Sequence, residues 1–356
     1  MSKAVSIIIP TFNERENIAP LVERIARALP DYEIVFVDDN SSDGTAEVAA
    51  SLSARYPVRV IVRRDKRGLA SAVIDGMEQS RSEVVAVMDA DLQHPPEALA
   101  ELLREIRGGA DVAIASRYVA GGGCQGWGLI RRLISKGAIF LSHLLLPSTR
   151  AVRDPMSGFF MLQRRVVAGA CLKPTGYKIL LEILIEGECR CVAEVPYTFT
   201  TRYQGESKLS ARQQWEYLKH LCSLMRRRGE MGRFGKFCLV GLSGVVVNTG
   251  LLWLLTEGAG LFYLLSAAIA IETAIVSNYL LNDYFTFRDR RSGGAKPFFY
   301  RLLKFNIISL AGLGINIGVL SLLTEVFNVY YILSNLGGIV AATLWNYLVN
   351  TWWTWR

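Results

Sequence analysis

The sequence predicts an α/β domain built on a mostly parallel, Rossmann-like sheet, joined to an all-α membrane domain of four transmembrane helices. Three observations predict it. Short β-branched apolar runs alternate with stretches of helical periodicity through residues 1–230. Four apolar stretches fill residues 231–356, each near the ~20 residues that cross a bilayer as a helix. These stretches also match one another at many positions with a constant offset of 68.

The first strand is Val5-Ser6-Ile7-Ile8-Ile9, an unbroken apolar run of the kind found in parallel strands covered on both faces. Pro10 ends it. A helix follows with Leu21, Val22, Ile25 and Leu29 at helical spacing, capped by Thr11 or Asn13. Glu33-Ile34-Val35-Phe36-Val37 forms a second strand that stops at Asp38-Asp39, and Ser41-Ser42-Asp43-Gly44-Thr45 is a polar turn into another helix. Further strands are expected at 58–62, 84–88 and 112–115. Strands separated by helices imply a sheet with helices on both faces, and such sheets bind ligands beyond the carboxyl ends of their strands.

Composition narrows the function. The chain has 356 residues, is 51% hydrophobic and carries a formal net charge of +8. Its basic residues cluster beside apolar spans, which favours a membrane surface and phosphorylated substrates over nucleic acid. The main composition shift lies near Arg226-Arg227-Arg228-Gly229 and separates residues 1–230 from 231–356. Six cysteines lack CxxC spacing and read as reduced thiols. His94, His143 and His220 are scattered, which argues against a histidine metal site. The first strand begins at Val5, so no signal peptide is expected. No Ser/His/Asp or Cys/His arrangement supports a hydrolase.

Acidic residues sit at two expected strand ends. Asp89 and Asp91, one residue apart after the run 84–88, have the oxygen chemistry of a magnesium or manganese site shared with a diphosphate, and Gln93 offers a further carbonyl. A solvated turn is the plainer account of such a pair. Asp39 is placed either to accept hydrogen bonds from a base or ribose or to cap the helix after Ser42. Arg63, Arg64, Lys66 and Arg67 precede Gly68-Leu69-Ala70-Ser71-Ala72, where basic side chains meet a helix start suited to phosphates. Arg117 ends the fifth strand. Arg131, Arg132 and Lys136 begin the stretch 129–146, which reads as an amphipathic interfacial helix or as an ordinary core helix. Arg202, Ser207 and Lys208 fall in a polar segment able to close over an anionic substrate.

Several ordered strings resemble the inverting GT-A glycosyltransferases, most closely the dolichol-phosphate mannose synthases. They include Ile9-Pro10-Thr11-Phe12-Asn13-Glu14, Val37-Asp38-Asp39-Asn40-Ser41, Met88-Asp89-Ala90-Asp91-Leu92-Gln93-His94, Ser116-Arg117-Tyr118, Asp154-Pro155-Met156-Ser157-Gly158, Gly176-Tyr177-Lys178 and Gly205-Glu206-Ser207-Lys208. The resemblance spans most of residues 4–225. It implies nucleotide binding by Pro10, Phe12, Glu14, Val37 and Asp39, with Lys66, Asp89 and Ala90. It implies a divalent cation, Mn or Mg, on Asp89, Asp91 and Gln93. It implies an acceptor lipid phosphate on Arg117, Arg131, Ser135, Arg202 and Lys208, and catalysis by Asp91, Arg117, Arg131 and Asp154. Phe12 stands where many relatives carry tyrosine. The implied reaction moves mannose from GDP-mannose to a polyprenyl (dolichyl) phosphate with inversion. UDP-glucose as donor is the nearest alternative. A processive synthase is disfavoured, because Gln213-Gln214-Trp215 lacks the QxxRW spacing.

The second half shows its own duplication. Lys236/Lys304, Phe237/Phe305, Gly244/Gly312, Asn248/Asn316, Asn278/Asn346, Tyr279/Tyr347 and Thr286/Thr354 all obey the offset of 68. Self-similarity of this kind marks a repeated structural unit. Two apolar spans per copy predict four transmembrane helices near 234–255, 261–281, 303–323 and 330–350, as parallel two-helix repeats. Basic residues precede the first span, fill the middle loop and end the chain at Arg356, whereas the short loops carry Glu257 and Glu325. The positive-inside rule then places the catalytic domain of this multi-pass protein in the cytoplasm. Glu272, Asn248, Asn278 and Asn316 lie in or near the spans, as interhelical hydrogen bonds or as a lipid-headgroup path. This half resembles the GtrA-type membrane domain. The duplication leaves a second reading open, a lipid or glycolipid transporter with the transferase as its loading module.

Overall fold

The computed structural model describes residues 4–65, 68–173, 178–200, 211–291 and 293–355. The chain divides into two units, Met1–Leu224 and Met225–Arg356.

The first unit holds β1 (Val5–Thr11), α1 (Arg15–Ala28), β2 (Tyr32–Asp38), α2 (Thr45–Ser51), β3 (Val58–Val62), α3 (Leu69–Gln79), β4 (Val84–Val87), α4 (Ala98–Arg107) and β5 (Val112–Ser116). It continues with β6 (Gly123–Cys124), α5 (Leu129–Leu145), β7 (Phe160–Gln163), α6 (Ile179–Glu186), β8 (Val192–Pro196), β9 (Thr198–Phe199) and α7 (Ala211–Arg227). Seven strands form one sheet in the order β3-β2-β1-β4-β7-β5-β8, and β6 pairs with β9 separately.

The apolar runs of the strands sort by parity. Ile7, Ile9, Ile34, Phe36 and Ala86 pack with Leu21, Ile25, Leu99 and Leu102 of α1 and α4 on one face. Ile8, Val35, Val37, Val85 and Val87 pack with Val73, Met77 and Ile183 of α3 and α6 on the other. Successive strand side chains point to opposite faces, so an unbroken run supplies two cores at once. Burying each such side chain contributes ~1.5–3 kcal/mol.

The feature that positions the site is β7, which pairs antiparallel with both β4 and β5. All the other strand pairs of this sheet are parallel. An antiparallel strand enters the sheet at the edge where its neighbours leave it. Phe160, the first residue of β7, lies opposite Val87 and Ile114. The segment just before it, Asp154 to Gly158, therefore reaches the carboxyl ends of β4 and β5.

The helix after β1 starts differently from the sequence expectation. Its cap residue is Glu14, without a side-chain capping bond. Asn13 instead accepts from the Ser42 N–H at 3.2 Å, and Thr11 donates to Asp38 at 3.0 Å. Both side chains stitch β1 to the turn after β2. On α5, Leu129, Ile130, Leu133 and Phe140 are exposed and only Ile139 and Ser142 are buried. Its apolar residues are thus not spent on a core.

The second unit contains α8 (Glu230–Trp253), α9 (Tyr263–Leu281), α10 (Ala295–Ser321) and α11 (Tyr331–Val349). Each runs on into a π-helical turn, at Leu254–Gly258, Asn282–Thr286, Leu322–Val326 and Asn350–Thr354. With these turns the four helices are long and apolar enough to cross a membrane. They exceed the apolar stretches because hydropathy marks only the hydrocarbon part. The helix itself, with every backbone bond satisfied internally, continues past residues such as Lys236 and Lys304.

Structural details recur at the offset of 68. Gly244 of α8 packs against Asn278 of α9, and Gly312 of α10 against Asn346 of α11. Phe237, Tyr279, Phe287, Phe305, Tyr347 and Trp355 form one buried cluster of three repeat-related pairs. Within it, Phe287 stacks on its counterpart Trp355 with ring centroids 4.3 Å apart. Beneath lies a buried ion pair, Asp283 with Arg301 at 3.0 Å, and Trp355 Nε1 donates to the same carboxylate at 2.9 Å. Glu272 accepts from Asn306 at 2.8 Å, which joins α9 to α10.

Small residues at helix crossings let backbones approach closely. A Cβ on Gly244 or Gly312 would collide with the facing asparagine, whereas one on Gly241 would meet open space. Gly244→Leu and Gly312→Leu are therefore each expected to lower the melting temperature of the detergent-solubilised protein, with an overpacking cost of about 1–3 kcal/mol. Gly241→Ala is expected to leave it unchanged. Equal melting of all three variants would contradict the packing.

Candidate active site

At the carboxyl ends of β1 and β2 lie Pro10, Phe12, Glu14, Val37 and Asp39. Phe12 is 47% exposed. Glu14 is held by its backbone N–H, which donates to Thr45 Oγ1 at 3.0 Å, and by its carboxylate, which accepts from Asn17 at 2.6 Å. Pro10 and Val37 face each other across the β1–β2 pair.

Asp39 does not cap the following helix. The cap position is Gly44, and Asp43 before it accepts the Thr45 N–H at 3.0 Å. The Asp39 carboxylate instead accepts from Arg63 Nε at 2.8 Å, also from Arg63 Nη2, and from the Gly68 N–H at 2.7 Å. Arg63 extends to Ser71 and Asp75 at 2.9 and 3.1 Å. Arg63 is therefore a buried structural cation and not a loop residue open to phosphate. Its role is to pin the start of α3 beside the end of β2. Lys66 and Arg67 lie outside the described residues, as do Arg202, Ser207 and Lys208.

At the end of β4 the chain turns sharply. Leu92 has φ of 60° and so occupies the left-handed region, which a γ-branched residue enters only under constraint. Asp91 is buried and accepts the Gln93 N–H at 3.1 Å, and Gln93 Nε2 donates to the Thr200 carbonyl at 2.9 Å. Ala90 is buried between the two acids. The Asp89 N–H donates to His94 Nδ1 at 3.1 Å, so that nitrogen is an acceptor and the ring is neutral. Burial pushes the His94 pKa down to about 4, which agrees with this. His94 thus works as a packed ring, stacked on Phe159 at 5.3 Å, and not as a ligand.

A hard cation fits this donor set. The Asp89 side chain is 35% exposed, and a Cβ on Gly158 would stand only 3.3 Å from its Oδ2, so glycine leaves that carboxylate its room. Among the described residues no group of three or more His, Cys, Asp or Glu forms a closed metal cage. Two carboxylates and a carboxamide oxygen are donors of the kind that a hard cation shared with substrate phosphates takes.

Across the sheet edge, Arg117 at the end of β5 is clamped to Asp154. Its Nε and Nη2 donate to the two carboxylate oxygens at 2.8 Å each, and its backbone N–H adds a third bond at 3.1 Å. Both side chains are buried, at 8% and 0% exposure. Burial opposes the arginine charge, but the bonds to Asp154 more than offset it and raise the pKa above the ordinary value. Asp154 is accordingly an anchor for Arg117, with its oxygens already engaged.

The Arg117 guanidinium also stands over the Trp127 ring at 5.4 Å, and Arg131 of α5 stands over the same ring at 4.4 Å. One indole thus gathers two cations. Tyr118 donates to Ser135 at 2.8 Å and ties α5 to the residue beside Arg117. Lys178 Nζ donates to the Met156 carbonyl at 2.9 Å. Burial and then the neighbouring Arg117 push its pKa down to about 8, against the opposing charges of Asp154 and Asp89. Asp89, Asp154 and Arg117 therefore share one electrostatic environment. Trp127 and Lys178 were given no role by the sequence reading. Lys178 sits in a string that resembles the family, whereas Trp127 carries no local signal.

Removing one partner of a buried pair leaves an uncompensated charge, at a cost of about 3–5 kcal/mol. Asp154→Asn is expected to lower the melting temperature substantially. Asp154→Ala/Arg117→Met is expected to recover part of the loss, because it removes both charges. A double variant no more stable than Asp154→Asn would contradict the pairing.

Residues 6–169 match the model of glycosyl transferase family 2, and residues 236–355 match that of the GtrA/DPMS transmembrane domain. The chain is 48% identical over 353 residues to a dolichol-phosphate mannosyltransferase of Pyrococcus furiosus, covering 99% of each. It is 38% identical over 239 residues to the dolichol-phosphate mannosyltransferase of Saccharomyces cerevisiae, covering 63% of this chain and 88% of that one. Among solved structures, glucosyl-3-phosphoglycerate synthase from Mycobacterium tuberculosis, in complex with Mn2+, uridine diphosphate and phosphoglyceric acid, shares the fold. The TM-score is 0.51 at 18% identity, over 63% of this chain and 78% of that one. With a GT-A sheet and a GtrA/DPMS transmembrane domain matched along nearly the whole length of a relative, the chain belongs to the dolichol-phosphate mannosyltransferase family of glycosyltransferases.

Proposed function

We propose that the chain transfers a mannosyl residue from GDP-mannose to the phosphate of a dolichyl or other polyprenyl lipid, with inversion, on the cytoplasmic face of a membrane. The observation that carries this reading is the shared environment of the Asp89–Asp91 edge and the Arg117–Asp154 pair. A site that must hold a diphosphate and a second phosphate needs acids for a cation and guanidinium groups for an anion, side by side. The full-length relative supports mannose and dolichyl phosphate.

In the step we infer, an oxygen of the acceptor phosphate forms a bond to the anomeric carbon. The bond from that carbon to the donor diphosphate breaks, and its electron pair leaves with the nucleoside diphosphate. The acceptor needs no general base, since a phosphate monoester with a second pKa of ~6 is largely dianionic at neutral pH. That agrees with an Asp154 already saturated by Arg117. Arg117 and Arg131, gathered on Trp127, orient the attacking phosphate, with Ser135, Arg202 and Lys208 as its further ligands. Pro10, Phe12, Glu14, Val37 and Asp39, with Lys66, Asp89 and Ala90, hold the nucleotide. Asp89, Asp91 and Gln93 would hold a divalent cation, which would supply charge neutralisation for the diphosphate. The basic loops support a cytoplasmic catalytic domain.

Transfer assays on full-length protein with a short polyprenyl phosphate test this. Asp91→Ala and Arg131→Ala are each expected to lower kcat at least about 100-fold while the protein stays folded. Chelation should abolish transfer and added manganese restore it. GDP-mannose should outperform UDP-glucose as donor. Trp127→Ala should cost about tenfold in kcat/KM for the lipid acceptor, with partial recovery in Trp127→Phe. Full activity in Arg131→Ala would remove the assigned acceptor site.

A further inference from the structure

The two repeats of the membrane unit differ where α8 and α10 begin. In the first copy, a cavity of about 650 Å³ is lined by Gly232, Arg233, Lys236, Thr286, Arg288 and Asp289, among others. It lies where α8 begins and where the turn after α9 ends. In the second copy the position of Gly232 is taken by Tyr300, and Lys304 stands over that ring at 4.3 Å. The second copy thus carries an aromatic ring where the first has a glycine.

The cavity is electropositive. Arg233 binds Glu230 and also Asp289, the latter at 2.7 Å, and Arg290 binds Glu230 at 2.6 Å. Two carboxylates therefore stand against four cations, with Lys236 and Arg288 exposed. Lys236 lies over the Phe285 ring at 4.9 Å.

A second observation points to a ligand. Thr286 is 4% exposed, yet its hydroxyl has no hydrogen-bond partner among the described residues. Its counterpart Thr354 donates to Asn350 at 2.8 Å. The residue corresponding to Asn350 is Asn282, and its Oδ1 likewise has no partner among the described residues. The bond that closes the second copy is thus not made in the first, where Thr286 lies in the cavity wall with its hydroxyl buried. An unsatisfied buried hydroxyl is costly, and an anionic oxygen would satisfy it.

We propose that this cavity binds the phosphate headgroup of an anionic membrane lipid. Lys236 and Arg288 supply charge, and Thr286 donates its hydroxyl to a phosphate oxygen. Tyr284 and Phe285 are exposed at the same level, as aromatic residues are where membrane spans meet the headgroups. Basic pockets between membrane helices recognise lipid headgroups in this way. The assignment needs the helices to span a bilayer and does not depend on the transferase chemistry.

Native mass spectrometry of the full-length protein tests it, with phosphatidylglycerol, phosphate-free diacylglycerol, a short polyprenyl phosphate and inorganic phosphate as probes. Wild type is expected to retain one phosphatidylglycerol and no diacylglycerol. Lys236→Gln/Arg288→Gln should weaken retention by about tenfold or more. Thr286→Val should weaken it several-fold, and Gly232→Tyr, which copies the second repeat, should abolish it. Competition by polyprenyl phosphate would identify the lipid as acceptor-like, and lack of competition as a bilayer phospholipid. Both support the site. The Lys236 and Arg288 changes affect only exposed side chains, so they remain informative if Gly232→Tyr misfolds. Wild-type retention in every variant, or inorganic phosphate binding as tightly as the lipid, would overturn the proposal.

Discussion

The catalytic unit depends on a buried guanidinium facing a buried carboxylate at the end of β5. Arg117 and Asp154 are taken almost wholly out of water. Neither charge survives such burial alone, because desolvation costs several kcal/mol per ion and is offset only by good geometry and by bonds to every remaining atom. Here the carboxylate receives three donors from Arg117. This arrangement requires the segment before β7 to lie beside the end of β5. The single antiparallel strand in an otherwise parallel sheet is what brings it there.

Much of the site's chemistry follows from that constraint. With Asp154 committed to Arg117, the guanidinium is held rigidly over Trp127, where Arg131 joins it. Two guanidinium groups are thereby brought to one indole ring. Asp39 and Arg63 repeat the strategy at the other end of the sheet, where a buried pair organises the loop into α3. Asp89, by contrast, keeps a third of its side-chain surface open. The engaged acids shape the site around it.

The membrane unit is organised by near-symmetry. Repeat-related aromatic residues meet one another in a single cluster, and glycine faces asparagine in both helical hairpins. Where the copies are alike they pack together. Where they differ, at Gly232 against Tyr300 and at Asn282–Thr286 against Asn350–Thr354, one copy keeps a polar cavity. The copies have thus diverged locally around a shared packing core.

The sequence by itself determined the elements whose signals are local. Alternation of strand and helix, two acids after a buried run, four membrane-length helices and the 68-residue offset are all properties of contiguous residues or of direct self-comparison. Tertiary structure decided what joins distant positions. Phe160-Met161-Leu162 looks like any short apolar run, and only strand order makes it antiparallel and central. Arg63 looks like its basic neighbours, and only the packing of α3 against β2 buries it. Asp154 and Arg117 lie 37 residues apart and share no local pattern. Periodicity tells a side chain which face of its own element to take, whereas the partner it meets there depends on how the elements are ordered and how closely their backbones approach.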